Sequence, residues 1–267
     1  MQEEKKILKI NFEEMKPVTN FHKSEEVHVI FYSENNKLLS QSISNDKNLT
    51  SFLKTNITIN PSNFITVRSE KGTFFLVRRK LEDDNDFTDN YLEEVGGNIY
   101  NSLKSIGYKS IKIYENLANA NLRFALGILL SSYKFSNYKK IVPKNNDMLN
   151  KVTFVCKGAK EASSKFQEML QIAKGVFTAR DLVWQPANIL YPDSFAQQCK
   201  KLNKIGVKVT IINEANLKKL GMDALLAVGR GSRKSSKVVI MEWLGGKSNA
   251  PVMSFIGKGV CFDSGGL

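Results

Sequence analysis

The sequence predicts an α/β protein with a small N-terminal α/β domain, a long connecting helix and the start of a second α/β sheet. Short β-type runs alternate with segments whose apolar residues recur every three or four positions, which is typical of α/β domains. One helical pattern continues over 160–183, and two strongly apolar runs, 237–243 and 252–260, are typical of buried central strands. These observations predict three regions along the chain, at 1–158, 159–184 and 185–267.

The N-terminal domain is predicted from four strand-like runs and two amphipathic helices. The strands are expected at 27–32, 64–81, 110–114 and 152–156. The second run is interrupted at 70–72 by Glu-Lys-Gly, which is a hairpin signal. The two helices are identified by apolar residues that fall on one face: Leu92, Val95, Ile99 and Leu103 in the first, and Leu122, Ala125, Leu126, Leu129 and Leu130 in the second.

The alternation resumes beyond the connecting helix. We expect a helix over 193–203, a strand over 207–212, a short helix from Asn213 to Gly221, and a strand near 224–228, followed by the two apolar runs.

Gly175, inside the connecting helix, costs about 1 kcal/mol relative to alanine and is tolerable if the helix packs closely there.

Composition and cysteine content narrow the class of protein. The 267 residues are 42% hydrophobic and 24% charged, which is close to the globular average and excludes wholesale disorder. The three cysteines have no CxxC spacing, so neither a disulfide framework nor a cysteine zinc site is indicated. The first residues mix charges of both signs, which is not typical of a signal peptide. The longest apolar stretch, 124–130, is too short to span a membrane. A cytoplasmic location without a membrane partner is expected.

The charge is strongly basic and unevenly distributed. The chain has 39 Lys and Arg against 26 Asp and Glu, a net +13, and residues 151–267 have 18 against 8, a net +10. Most of the basic residues are lysines scattered singly, which favours a solvated basic surface over a nucleic-acid site. Nucleic-acid binding therefore stays as the less favoured partner hypothesis.

The segment with the most specific chemistry is GKGVCFDSGG at 257–266. It places Lys258 and Asp263 at the carboxyl end of a predicted strand, which is where ligands bind in open α/β sheets. Its glycines suit a loop that wraps an ion closely. A phosphate loop would need a GK[ST] ending and a following helix, and the segment has neither. From the residues alone, a structural turn and a binding site are both open.

The same segment resembles the GKGVTFDSGG signature of the leucyl aminopeptidases, the cytosol aminopeptidase family of dinuclear metallopeptidases. Three further segments resemble that family in the same order: ALGILLSSYKF at 125–135 is similar to ALGLLLGSYRF, ARDLV at 179–183 with PAN at 186–188 to ARDLVNEPAN, and GMDALLAVGRGS at 221–232 to MGALLGVGQGS. The resemblance therefore covers about 120–267 and is diffuse before that.

The resemblance implies hydrolytic removal of N-terminal amino acids from peptides, with two divalent ions, manganese or zinc, that activate a water. By motif position, Lys258 and Asp263 are similar to metal ligands of the family. A lysine ligates only through its neutral amine, and a carboxylate supplies hard oxygen ligation. The resemblance also implies a homo-oligomer, since family members are typically hexamers, and an α/β mixed-sheet metallopeptidase domain of which 185–267 is an incomplete, truncated start.

Several departures from the family pattern restrict this reading. The family's catalytic lysine follows the SGG turn, and its arginine lies in an NTDAEGR-type motif, and both are expected beyond Leu267. Trp184 and Gln185 replace the usual Asn-Glu, and Cys261 replaces Thr. The acidic cluster at 83–86 is predicted to be a solvated loop. We therefore expect the 267 residues alone to be inactive. The alternatives are a non-catalytic binding or assembly protein, or the product of a degraded gene.

Overall fold

The computed structural model describes residues 7–16, 26–39, 46–59, 62–78, 89–104, 107–114, 118–138, 149–247 and 249–262. The chain divides into two compact units, Met1–Arg180 and Asp181–Leu267, called here the N-terminal and C-terminal units. The predicted boundaries at 158 and 184 stay a prediction. Within the described residues, no helix combines the length and the apolar character needed to cross a membrane.

The N-terminal unit is built from six strands and four helices, as far as the structure describes it. The strands are β1 (Lys9–Glu14), β2 (Glu26–Tyr32), β3 (Phe64–Ser69), β4 (Gly72–Arg78), β5 (Ser110–Tyr114) and β6 (Lys151–Cys156), and the helices are α1 (Lys47–Ile59), α2 (Asp89–Lys104), α3 (Ala118–Ser131) and α4 (Ala159–Val183). The predicted strands, hairpin and helix pair are confirmed, as is the long helix predicted over 160–183; that this helix connects two domains stays a prediction. No element was predicted for β1 or α1.

One mixed sheet with the order β1-β6-β5-β2-β4-β3 forms the centre of this unit. All neighbours pair in parallel except β3 and β4, which form the antiparallel hairpin. Both faces are buried, because alternate residues of β2 enter two separate apolar clusters. Val27, Val29 and Phe31 pack with α2, α3 and α4, whereas Ile30 and Tyr32 pack with α1.

The helices α2 and α3 approach each other through glycines. A Cβ at Gly96 would overlap the backbone carbonyl of Phe124, and a Cβ at Gly127 would overlap the backbone carbonyl of Glu93. Glycine is therefore required at both positions for close backbone approach. Arg123 of α3 adds an ion pair to Glu93 of α2, at 2.8 Å.

The C-terminal unit, in its described residues, contains three short helices and two strands. They are α5 (Pro192–Lys200), β7 (Lys208–Ile212), α6 (Glu214–Lys219), α7 (Asp223–Val228) and β8 (Val238–Glu242). A 3₁₀ turn, Lys201–Ile205, follows α5, so the predicted helix over 193–203 is α-helical only in its first part. Strands β7 and β8 pair antiparallel.

The short helix after β7 begins and ends where its sequence predicts. The side chain of Asn213 caps α6 by accepting a hydrogen bond from the backbone N–H of Asn216, at 3.0 Å. Gly221 has a φ of 68°, the left-handed conformation that commonly ends a helix and that glycine adopts without strain.

Two predicted strands of this unit are wrong. Residues 224–228 lie in the helix α7, because alanine and leucine are strong helix formers and a short apolar run does not distinguish a strand from a helix. Residues 252–260 form neither a strand nor a helix and are exposed throughout. A strand needs a neighbour for its backbone hydrogen bonds, and none pairs with this run among the described residues. The run at 237–243 does contain β8, but β8 is only partly buried.

Candidate metal centre

The signature segment lies on an irregular, exposed stretch of backbone. Residues 251–260 have no helix or strand, and the Lys258 side chain is exposed. The stretch passes close to α5, because a Cβ added at Gly259 would lie 3.1 Å from the ring of Phe195. A methyl group at 259 would fit only if this ring moved by a few tenths of an ångström.

The two predicted metal ligands are not brought together by the described structure. Lys258 is described, whereas Asp263 lies outside the described residues, as does the acidic cluster at 83–86. In the part of the chain that the structure describes, no group of three or more His, Cys, Asp or Glu could hold a metal ion. The described residues alone therefore do not form a site for the two predicted ions, and Lys258 and Asp263 stay a prediction.

Cys261 stands where the family signature has threonine. Its Sγ lies 3.8 Å from the carbonyl oxygen of Gly259. Partial burial raises the pKa of the Cys261 thiol above its ordinary value. A nucleophilic cysteine needs the opposite shift, because the thiolate is the reactive form. The environment of Cys261 is thus that of an inert thiol.

The ARDLV segment holds a contact that sequence reasoning missed. The guanidinium of Arg180 donates a hydrogen bond to the backbone carbonyl of Leu130, at 2.6 Å, and lies 5.5 Å from the ring centroid of Tyr133. Leu130 is in the last turn of α3, where helix carbonyls have no partner within the helix. A cation there is also stabilised by the helix dipole. Both Arg180 and Tyr133 lie in segments that resemble the family, which is the signal that could have paired them.

The loop before β8 is held within the C-terminal unit by polar contacts. The Lys234 ammonium lies 4.2 Å from the centroid of the Tyr191 ring, and Lys237 pairs with Asp193 of α5, at 3.5 Å. Lys208 of β7 pairs with Glu242 of β8, at 2.9 Å. These lysines make contacts within the unit, which fits a dispersed basic surface better than a dedicated nucleic-acid groove.

Comparison with known proteins identifies the relatives of this chain. Residues 177–267 match the model of the cytosol aminopeptidase family, catalytic domain. The probable cytosol aminopeptidase of Sinorhizobium medicae is 45% identical over 157 residues, which are 57% of this chain and 32% of the relative. That of Phytoplasma australiense is 40% identical over 153 residues, which are 57% of this chain and 31% of the relative.

Solved structures agree on the fold. A mutant of tomato leucine aminopeptidase superposes with a TM-score of 0.70 at 19% identity, over 88% of this chain and 51% of that chain. The bottromycin maturation enzyme BotP in complex with Mn superposes with a TM-score of 0.57 at 18% identity, over 80% of this chain and 44% of that chain. The predicted α/β fold class with a mixed sheet is confirmed.

This chain spans about a third of the length of the curated relatives it matches. The sequence matches and the shared fold agree with the resemblance carried by the four motif segments. The family is one of metallopeptidases, and the part that corresponds to its catalytic domain includes the whole GKGVCFDSGG signature. Residues 177–267 match part of the catalytic domain of the cytosol aminopeptidase family, and the chain is similar to members of that family over more than half of its own length.

Proposed function

We propose that this chain supplies the first part of the catalytic domain of a metallo-aminopeptidase that removes N-terminal amino acids from peptides in the cytoplasm. The observation that carries the proposal is the match of residues 177–267 to the family's catalytic domain. The mixed α/β fold shared with leucine aminopeptidase supports it, as do the three other motif segments.

In this proposal Lys258 and Asp263 are the chain's own metal ligands. The amine of Lys258 supplies a nitrogen donor and the carboxylate of Asp263 supplies oxygen donors. Bound divalent ions, manganese or zinc, would activate a water and stabilise charge that develops at the scissile bond. Between the two ligands, Gly259 lets the backbone pass close to the Phe195 ring of α5.

The proposed activity needs residues that are not among these 267. Two ligands alone bind a metal pair weakly, and the predicted catalytic lysine and arginine are not in the sequence. We therefore expect no hydrolysis by the 267-residue chain alone. Homo-oligomerisation, by resemblance as a hexamer, is part of the same proposal.

The test measures release of leucine from a leucyl chromogenic substrate with added Mn²⁺. One sample is the chain alone, and the other is the chain joined to the part of the Sinorhizobium medicae relative that follows its matched residues. We expect activity only in the joined protein. Lys258→Met should lower that activity by about 100-fold or more, since even loss of an outer partner of a metal ligand costs 10–100-fold.

The matched control is Lys247→Met, which removes another exposed lysine of the same unit. It should leave the activity of the joined protein unchanged. A folded joined protein that binds Mn²⁺ without releasing leucine would contradict the proposal. So would a Lys258→Met variant as active as Lys247→Met.

A non-catalytic role in nucleic-acid binding is the alternative, and the net charge of +10 in residues 151–267 is the feature that favours it. Its signature would be DNA binding by the 267-residue chain that weakens steeply with added salt.

A further inference from the structure

A cavity of about 500 Å³ lies in the N-terminal unit, whereas the GKGVCFDSGG signature belongs to the C-terminal unit. The cavity is bounded by the first residues of β1 and β6 and by one side of α4. Five of its described lining residues are large and apolar, three are lysines, and none is acidic. Its volume is within the range of roughly 300–1,000 Å³ that is usual for small-molecule sites.

One side of α4 forms a wall of the cavity. The helix contributes four lining residues, namely Phe166, Gln167, Leu170 and Lys174. At 3.6 residues per turn these positions fall within about 100° of the helix circumference. The two acidic residues in the first half of the helix, Glu161 and Glu168, fall on the opposite side. Asp181 is seven residues beyond Lys174, which is about 10 Å further along the helix axis. The cavity wall is therefore apolar and basic.

The cavity has an apolar end and a basic end. Phe166 is buried, and its ring centroid lies 5.5 Å from that of Phe12, in the middle of β1. Lys174 comes two turns later in α4 and lines the cavity together with the starts of the two strands. Lys9 and Lys151 are the first residues of β1 and β6 and lie opposite each other in the register. The three lysines therefore belong to one end of the cavity, and Phe166 belongs to the other.

The charge at the basic end is not neutralised by the described part of the chain. None of the three lysines forms an ion pair with a described acidic residue. The acidic residues of β1 make contacts elsewhere. Glu13 pairs with Lys112, at 3.6 Å, and Glu14 accepts a hydrogen bond from the backbone N–H of Gly158, at 3.1 Å. An anion at this end of the cavity would therefore meet positive charge without a competing carboxylate.

The size and chemistry of the cavity limit what can occupy it. A stable protein complex uses roughly 800 Å² of surface from each partner, which is more than a cavity of this volume offers. Single-stranded nucleic acid needs exposed aromatic rings for stacking, and Phe166 is only 3% exposed. A small inorganic anion would leave the apolar lining in water. The ligand that uses both ends is a small molecule with an acidic head and an apolar chain.

We propose that this cavity binds the anion of a medium-chain fatty acid. The alkyl chain lies along Leu8, Leu170 and Phe166, where it is removed from water. The carboxylate lies at the basic end, beside Lys174, where it accepts a charge-assisted hydrogen bond. Binding is noncovalent and involves neither of the predicted metal ligands, so this site is separate from the proposed aminopeptidase function.

The experiment titrates decanoate into the 267-residue chain by calorimetry, below the concentration at which decanoate forms micelles. We expect one site per chain and an affinity that falls with added salt. Two comparison probes separate the contributions of head and chain. Decyltrimethylammonium has the same chain with the opposite charge, and butyrate has the same head with a short chain. Each should bind at least about 10-fold more weakly than decanoate, because each loses one of the two interactions.

Hydrogen exchange locates the bound probe. Decanoate should slow exchange at 7–10 and 166–174, which contain most of the lining residues. The exposed apolar side chains at 252–262 are the competing place for an alkyl chain on this protein. Slower exchange at 252–262, with none at 166–174, would overturn the proposal.

The variant that tests the basic end is Lys174→Met, which removes the charge and keeps a long side chain. It should weaken decanoate binding about 10-fold, because a hydrogen bond to a charged group is lost. It should not weaken the binding of decyltrimethylammonium, which distinguishes loss of charge from damage to the cavity. The matched control is Lys165→Met, since Lys165 is an exposed lysine on the opposite side of the same helix. Both variants should melt as the unaltered chain does.

Three calorimetric results would contradict the proposal. The first is that decanoate does not bind the unaltered chain. The second is that decanoate binds no more tightly than decyltrimethylammonium or butyrate. The third is that Lys174→Met binds decanoate as tightly as Lys165→Met does.

Discussion

In the N-terminal unit the strand β2 is buried on both faces of its sheet, whereas in the C-terminal unit β8 exposes Ile240 on one face and Met241 on the other. Among the described residues, the C-terminal unit buries three apolar residues below a tenth of their surface: Leu190, Ala196 and Leu217. The N-terminal unit has two extensive apolar clusters. The difference shows that similar apolar runs form a buried core only where neighbouring strands and helices pack against them.

The largest expected effect is a loss of stability in the N-terminal unit, which is the better packed of the two, with no change in the C-terminal unit. Phe124 of α3 is fully buried and stacks on Phe31 with ring centroids 5.3 Å apart. Phe124→Ala should lower the free energy of unfolding of the N-terminal unit by about 3–5 kcal/mol. Phe255→Ala should change the stability of the isolated chain by less than about 0.5 kcal/mol, because that ring is already in solvent.

Urea unfolding with hydrogen exchange on separate peptides measures the two effects independently. Tryptophan fluorescence would not report on the N-terminal unit, because both tryptophans, Trp184 and Trp243, lie in the C-terminal unit. Equal losses in the two variants would show that 251–262 is packed in solution.

The next effect concerns acid, and it is confined to the N-terminal unit. His28 of β2 is buried, with its Nδ1 3.1 Å from the Tyr114 hydroxyl. The pKa of His28 is lowered from 6.5 to about 4, chiefly because burial disfavours the charged imidazolium; Glu26 opposes the shift and Lys112 adds to it. The unfolded chain therefore binds this proton more readily than the folded chain, so stability is complete above pH 6.5 and falls as the pH drops towards 4.

The loss from His28 should reach about 2 kcal/mol at pH 5 and about 3 kcal/mol near pH 4. His28→Gln removes the titrating group, so its unfolding free energy should be flatter between pH 7 and 5. His22→Gln, which removes the chain's other imidazole, is the control and should keep the steep dependence. If the unfolding free energy still depended steeply on pH in His28→Gln and became flat in His22→Gln, the effect would come from His22 and the prediction would be contradicted.

The third effect tests the glycine contact between α2 and α3. Gly127→Ala should destabilise the N-terminal unit by about 1–3 kcal/mol, because the new methyl group meets the backbone carbonyl of Glu93 and not a movable side chain. Thermal unfolding followed by far-ultraviolet circular dichroism measures the change. An unchanged midpoint would mean that the two helices separate at little cost.

The contrast between the units also explains what could be predicted from the sequence. Helices α2 and α3 and strand β2 were predictable because their apolar spacing matches the burial that the fold provides. Helix α1 was not predicted, since its Thr and Ile residues are typical of strands and its buried stripe consists of Leu49, Leu53 and Ile57 alone. Strand β1 was also missed, because its charged residues are typical of an edge position.

The candidate site shows a different limit. The resemblance identifies Lys258 and Asp263 from a local motif, but a metal centre gathers ligands from distant parts of a chain, and local spacing does not contain that information. The run at 252–260 was predicted to be buried because its composition is that of a central strand. An apolar composition indicates that a segment can be buried in a sheet. Whether it is buried depends on the elements that pack against it.

The smallest expected effect on stability concerns Gly175 in the helix α4. The sequence predicts that Gly175 is tolerable if the helix packs closely there, yet nothing lies within 4 Å of a Cβ added at this position, and the residue is exposed. Gly175→Ala should therefore stabilise α4 by about 0.5–1 kcal/mol, because alanine loses less backbone entropy and meets no obstacle. Slower hydrogen exchange across 170–180 measures the gain, with Ala173→Gly as the reverse control, since Ala173 is fully buried. A destabilised Gly175→Ala variant would mean that this face of α4 is covered in solution, as the close packing expected from the sequence requires.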